Sequence, residues 1–301
     1  MMRVATGFVG LLVTRQLSLL FVKARRMYTK NMEAQDAARQ LLQAWISRKW
    51  IQTKLEYPLV SNIEQVYAIH AAMTKSPLAQ KLGGHAGYKQ GGVGAVQGQE
   101  CVYGVLFGRG ILDEREWTGY TSISRSEFNL FGLEAEVGFL LGEDLPPRRR
   151  GYSEAEVFSA VSEIVLCIEC TGTRHTLNGL TSLERLADCC CGAGVIMGPR
   201  FYPSHVAGDM GLEASQLDGL VARIFVSGQE KCSGATTGNP CGSPTASLAW
   251  CANHLNKRGL GLRSGQLVIA GAICKTSDFT DNEDIRVVFE GLGEARARIR
   301  A

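Results

Sequence analysis

The stretch Gly132-Leu133-Glu134-Ala135-Glu136-Val137-Gly138-Phe139-Leu140 decides how this chain is read. It is apolar except for two glutamates spaced i, i+2, and residues so spaced on a strand share a face. Two like charges on one face of an apolar strand are costly unless a cation compensates them. A hard divalent ion does so directly, because Mg²⁺ prefers carboxylate oxygens and retains waters. The alternative is a solvent-facing strand edge carrying two solvated acids, the common situation for glutamate. A third acid bears on the choice. Glu169 sits within Ile164-Val165-Leu166-Cys167-Ile168-Glu169-Cys170, an almost wholly apolar strand pattern. Three carboxylates would leave coordination positions open for substrate and water.

Outward from this stretch, the chain after Gly83 alternates glycine-rich turns with short β-type runs. These are Tyr103–Phe107, Glu134–Leu141, Ile164–Thr171, Gly194–Met197, Val221–Val226, Leu267–Ala270 and Ile285–Phe289. Two helical patterns interrupt them. Glu154–Val161 follows Ser153 as a cap, and Thr245–Asn256 follows Pro244 and ends at Gly259. Before Gly83 the periodicity is helical. Ala37, Ala38, Leu41, Leu42, Trp45 and Ile46 predict a helix over 33–55. Ser61 with Glu64 predicts a capping box opening a second helix to about Met73. The fold class is therefore α+β, a small helical N-terminal part packed on a β-rich body. The 301 residues carry 35 glycines and 8 prolines with no collagen-like period, consistent with many tight turns.

Charge is unevenly placed. Residues 1–32 contain Arg3, Arg15, Lys23, Arg25, Arg26 and Lys30 and no acid. Without the five basic side chains of residues 1–26, 27 Lys and Arg face 29 Asp and Glu, a net of −2. The body is thus no polyanion binder, and Arg148-Arg149-Arg150 reads as a solvated turn. An acid-free, arginine-bearing, intermittently apolar terminus resembles a mitochondrial transit peptide over residues 1–30. Its apolar runs are too short to span a membrane. The expected location is the mitochondrion, otherwise the cytoplasm, with cysteines reduced and buried as small hydrophobes.

Other candidate sites resolve toward packing. Cys167 and Cys170 lie three apart on a strand, on opposite faces, and cannot easily meet. Cys189-Cys190-Cys191 reads as tight packing beside Gly192 and Gly194, with a reactive thiol as the alternative. Gly91–Gly98 spaces its glycines wrongly for a dinucleotide loop. His70 and His254 fall in helical patterns as structural residues, whereas His175 could reach the cavity of Glu169. Lys89, in Gly87-Tyr88-Lys89-Gln90-Gly91, is either solvated or partly buried; burial would lower its pKa and permit proton transfer.

The order of segments resembles the fumarylacetoacetate hydrolase superfamily. More narrowly, it is similar to the branch holding 2-hydroxypenta-2,4-dienoate (2-oxopent-4-enoate) hydratase and 4-oxalocrotonate decarboxylase. The segments carrying the resemblance are GYKQG (87–91), YGVLF (103–107), LEAEVGFLLGEDLP (133–146), IECTGTR (168–174), LADCCCGAGVIMG (186–198), GSPTASLAWCANHL (242–255) and GQLVIAGAI (265–273). The resemblance implies a fumarylacetoacetase-like mixed β-roll body over residues 86–301, preceded by a helical part over 31–85. It implies Mg²⁺ or Mn²⁺ held by Glu134, Glu136 and Glu169, with Lys89 assisting proton transfer. Tyr88, Arg174, Asp188 and Gly271 fall where the family binds substrate. The substrate is a small 2-oxo acid chelating the metal, which stabilises an enolate. The implied assembly is a homo-oligomer, with no nucleic-acid or membrane partner. The implied reaction is hydration of a short 2-oxo or 2-hydroxydienoate acid. Decarboxylation or C–C hydrolysis at the same site, or a non-catalytic metal-binding role, stays open. The sequence departs from the family at Gly91–Gly94, at Val102 in place of an acid (Glu100 is offset), at Cys189, and at Ala270 in place of a hydroxyl residue.

Overall fold

The computed structural model describes residues 33–52, 60–91, 101–113, 121–176 and 179–301. The N-terminal basic segment, the glycine run after Gly91 and Glu100 lie outside the described residues.

Two helices open the described chain, α1 over 33–47 and α2 over Ile63–Lys75. The first is shorter than its periodicity suggests. Arg48 turns out of it with φ 56°, and Ile51 then pairs with His175. The cap of α2 also differs from expectation. Asn62, not Ser61, accepts from the Gln65 amide at 3.1 Å, while Gln65 Oε1 accepts from the Ser61 amide at 2.8 Å. The Gln65 side chain thus reaches the residue before the cap and not the cap itself, so the two bonds do not close a capping box.

Seven strands form one mixed sheet: β1 (His85–Gly91), β2 (Val102–Phe107), β3 (Ile111–Asp113), β5 (Leu130–Leu141), β6 (Val161–Gly172), β7 (Gly192–Phe201) and β10 (Leu267–Thr276), in the order β2-β1-β10-β5-β6-β7-β3. A second sheet holds β4 (Ser122–Ser124), β8 (Val221–Val226), β9 (Gln229–Ala235), β11 (Asp284–Phe289) and β12 (Gly293–Arg300), in the order β4-β12-β11-β8-β9. Both mix parallel and antiparallel pairs. All seven runs foreseen from sequence fall within strands. The strands His85–Gly91 and Gln229–Ala235 lack apolar alternation because glycine, lysine and glutamine interrupt it, two others are only three residues long, and Gly293–Arg300 alternates small or branched residues with arginines, a pattern the sequence reading does not single out.

Of the remaining helices, α3 (Arg125–Phe128), α5 (Ser182–Ala187) and α6 (Ser204–Ala207) are one turn or little more. α4 (Glu154–Ser159) begins at Ser153, whose box partner is Glu156, and stops short of Val161, which enters β6. α7 (Pro244–Asn256) is capped by Ser243.

The two faces of the large sheet carry different cores. One faces the helices and joins the main cluster, which includes Trp45, Tyr67, Met73, Tyr88, Tyr103, Val137, Phe139, Ile168 and Leu248. The other buries a smaller cluster of Leu106, Val165, Cys167, Val195, Met197, Leu267 and Ile269. Strand alternation puts Cys170 in the first and Cys167 in the second, so the two thiols point apart. Among the described residues no helix is long and apolar enough to cross a membrane.

Candidate active site

The smaller apolar cluster is the floor of a carboxylate site. β5 and β6 run antiparallel with Glu134 directly opposite Glu169 and Glu136 opposite Cys167. Directly paired residues share a face, so all three glutamates emerge on the side of Cys167. Their carboxylate oxygens come within 4.8 Å of one another. Glu136 and Glu169 are completely buried and Glu134 is partly exposed at the rim.

Lys89, from β1, enters from the side. Its Nζ lies 2.8 Å from Glu169 Oε1 and donates to the Cys190 carbonyl at 3.3 Å. Burial alone would pull its pKa down. The charges of Glu169, Glu134 and Glu136 outweigh that and hold it well above its usual value. The lowered pKa expected from burial is therefore reversed by the acids facing it. The carboxyls move the other way. Burial pushes Glu169 up to about 7, with Lys89 opposing and Glu134 adding to the rise. Burial and then the charge of Glu169 raise Glu136 well above its usual range.

Among the described residues, both oxygens of Glu136 and Oε2 of Glu169 have no hydrogen-bond partner, and Glu169 Oε1 has only the ion pair. Such orphaned buried acceptors are rare. One ammonium against three carboxylates leaves the cluster short of positive charge. The donor set is all oxygen, which suits Mg²⁺ or Mn²⁺ over a soft metal.

Two backbone features shape the site. β10 bulges opposite Glu136: Ala270 pairs with Val137 and Cys274 with Ala135, so three residues of β10 face one of β5. The bulge brings Gly271, whose peptide to Ala272 is cis, directly over the Glu136 side chain. On the other side, Cys189, Cys190 and Cys191 all adopt left-handed φ, 53°, 55° and 59°, a costly conformation for side-chain-bearing residues. This turn aims the Cys190 carbonyl at Lys89. It seats against β2 because Gly104 has no side chain; a Cβ there would lie 2.1 Å from the Cys189 oxygen. The cysteine triplet thus contributes backbone geometry as well as packing. The Cys190 thiol is pushed up to about 11 by burial despite nearby Lys89, so it stays neutral.

The structure brings Lys89, Gly271 and the three glutamates together, but not every expected residue. Tyr88 precedes Lys89 on the same strand and so points to the opposite face. It packs edge-on against Tyr103 and His85, away from the carboxylates. Arg174 and Asp188 are both buried and bond each other: the guanidinium Nε donates to Asp188 Oδ1, Nη2 to the Asp188 carbonyl, and Nη1 to the Gly192 carbonyl at 2.6 Å. Thr173 and the Arg174 amide complete the Asp188 carboxylate, and the guanidinium lies over the Trp45 ring at 4.5 Å. These groups hold the cysteine turn in place. His175 does not join the carboxylate cluster either. Its ring lies near Asp188, Arg174 and Glu184, and its amide bonds Thr173.

No family model matches the chain. A 2-keto-4-pentenoate hydratase from Paraburkholderia xenovorans (strain LB400) is 25% identical over 276 residues, covering 89% of this chain and 96% of that protein. A 2-keto-4-pentenoate hydratase 2 from Dechloromonas aromatica (strain RCB) is 25% identical over 275 residues, covering 89% and 98%. In fold, the chain is similar to 4-oxalocrotonate decarboxylase from Pseudomonas putida G7 complexed with magnesium and adipate. The TM-score is 0.70 at 19% identity, covering 89% of this chain and 97% of that one. These likenesses support the hydratase and decarboxylase branch of the fumarylacetoacetate hydrolase superfamily. The relatives are bacterial and lend no support to a mitochondrial location.

Proposed function

We propose that the protein is a divalent-metal-dependent hydratase acting on a short 2-oxo or 2-hydroxydienoate acid. The carrying observation is the cluster of Glu134, Glu136 and Glu169, with orphaned buried oxygens and Lys89 against Glu169. The hydratase names of the sequence relatives support a lyase of this kind.

Glu134, Glu136 and Glu169 would hold Mg²⁺ or Mn²⁺. When bound, the cation supplies Lewis acidity to the carboxylate and 2-oxygen of the substrate. Lys89, held between Glu169 and the Cys190 carbonyl, would be the proton donor within the site. The apolar floor of Val165, Cys167, Val195 and Ile269 keeps bulk water from the buried side, which strengthens electrostatic contacts above it. The resident fold would be the β-roll body of residues 86–301, working as a homo-oligomer.

The test is incubation of the full chain with Mn²⁺ and 2-hydroxypenta-2,4-dienoate. The expected result is loss of the dienoate absorbance with formation of a 4-hydroxy-2-oxo acid, abolished by chelator. Release of carbon dioxide from an oxalocrotonate-type substrate, without hydration, would replace this reading with decarboxylation.

A further inference from the structure

Two thiols outside the carboxylate cluster stand close enough to react with one another. Cys101 Sγ lies 2.7 Å from Cys241 Sγ, between residues 140 apart in sequence. Cys101 is buried and leads into β2 at Val102, while Cys241 is half-exposed in the turn before the Ser243 cap of α7. That turn also touches the site from outside: Asn239 Nδ2 donates to the Ala270 carbonyl at 3.1 Å, one residue before Gly271. Cys232 and Cys274 are a second pair in side-chain contact, remote from the turn at Asn239. Cys167 and Cys170 face opposite cores, and the Cys274 thiol points at the carbonyls of Ala222 and Cys232.

We propose that Cys101 and Cys241 are a dithiol pair oxidised to a reversible disulfide by hydroperoxides. The accessible Cys241 sulfur attacks the terminal oxygen of the hydroperoxide, whose O–O bond breaks. An alcohol, or water from hydrogen peroxide, leaves, and Cys241 becomes a sulfenic acid. The Cys101 sulfur then attacks the Cys241 sulfur, forming the S–S bond and releasing water. Two thiols lose two electrons and two protons, and the hydroperoxide takes up both. The sulfurs already adjoin, so closure needs little movement of the chain. The disulfide would tie the start of β2 to the turn that holds β10 at Gly271. It would also close a long loop, which restricts the unfolded chain most.

The experiment uses the full chain, reduced, cleared of reductant and treated with hydrogen peroxide. The readouts are non-reducing peptide mapping and thermal unfolding. The tryptic peptide 232–257 carries Cys232, Cys241 and Cys251, so fragment-ion sequencing must place the link on Cys241. The expected result is a Cys101–Cys241 link, lighter by two hydrogens and undone by dithiothreitol. Tm should rise by about 5 °C or more over the reduced form. Cys101→Ala and Cys241→Ser should each show neither link nor rise, each compared with its own reduced form so that any folding cost cancels. A predominant link at Cys251 or between Cys232 and Cys274, no link at all, or a Cys101–Cys241 link with unchanged or lowered Tm would overturn the proposal. Neither readout depends on the hydratase reading, so failure of one leaves the other standing.

Discussion

Gly271 of β10 crosses Glu136 of β5 so closely that a Cβ at Gly271 would lie 2.8 Å from Glu136 Cγ and 2.9 Å from its Cδ. The bulge in β10 is what permits this approach. A methyl group there must push the carboxylate aside. Gly271→Ala is therefore expected to lower Mn²⁺ affinity by about tenfold or more, the size of effect seen when the support of a metal ligand is lost. Overpacking should cost about 1–3 kcal/mol of stability. Calorimetric titration with Mn²⁺ measures the first and urea unfolding the second. Unaltered Mn²⁺ affinity would show that the cation does not use Glu136.

Lys89 and Glu136 should separate by function. Lys89→Met removes the ammonium but none of the carboxylates. Turnover should fall by about 10²–10⁴-fold, the usual range for a lost acid–base group, with Mn²⁺ binding retained. Glu136→Gln should instead abolish metal binding. Removing one of the mutually repelling buried acids should also leave the metal-free protein at least as stable as the wild type. Wild-type turnover in Lys89→Met would take the lysine out of the reaction.

Arg174 gives a prediction that separates support from substrate contact. All three guanidinium nitrogens are engaged by Asp188 and Gly192. Arg174→Met leaves the Asp188 carboxylate buried and uncompensated, a change expected to cost about 3–5 kcal/mol. Arg174→Lys keeps the charge but loses the fork. It should lower stability while KM for the 2-oxo acid changes by less than about twofold. A tenfold rise in KM at undiminished stability would return Arg174 to the substrate.

The histidines set an acid limit on the fold. His70 is buried, with Nε2 donating to the Leu186 carbonyl at 2.9 Å, and burial lowers its pKa to about 4. Asp188 opposes this shift and Arg174 reinforces it, while Tyr67 and Tyr103 flank the ring. A depressed histidine is neutral in the fold but protonated in the unfolded chain below its ordinary pKa of about 6.5. The unfolded state thus binds more protons between about pH 6.5 and pH 4, and stability falls as the pH falls through that window. His70→Gln, whose amide can still donate to Leu186, should flatten the fall by about 1.4 kcal/mol per pH unit. Urea unfolding of both proteins across this range measures the difference; parallel pH profiles would contradict the assignment.

Much of the carboxylate cluster was legible because it rests on period-two alternation. Glu134, Glu136 and Glu169 interrupt strongly apolar strands, and antiparallel pairing of neighbouring strands puts them on one face. The same alternation separates Tyr88 from Lys89, a consequence that family resemblance alone obscured. What could not be read was backbone conformation. Three successive cysteines give no sign of three left-handed φ values, nor that a cysteine carbonyl would accept a hydrogen bond from Lys89. The β10 bulge was equally hidden, since Ala270-Gly271-Ala272 fits a regular strand. The resemblance places Arg174 and Asp188 among substrate contacts, and nothing in the sequence shows that the two side chains satisfy each other.

The guanidinium of Arg174 rests on Trp45, and Trp45 meets Phe107 of β2 edge-on at 5.5 Å. The opening helix is thus wedged between a buried cation and the large sheet, across the boundary at residue 86. A fragment starting there would uncover Arg174 and the helix-facing side of β2 to water. The turn beneath Lys89 would lose its backing from that direction. Trp45 is thus part of the wall behind the Arg174–Asp188 pair and the cysteine turn that meets Lys89.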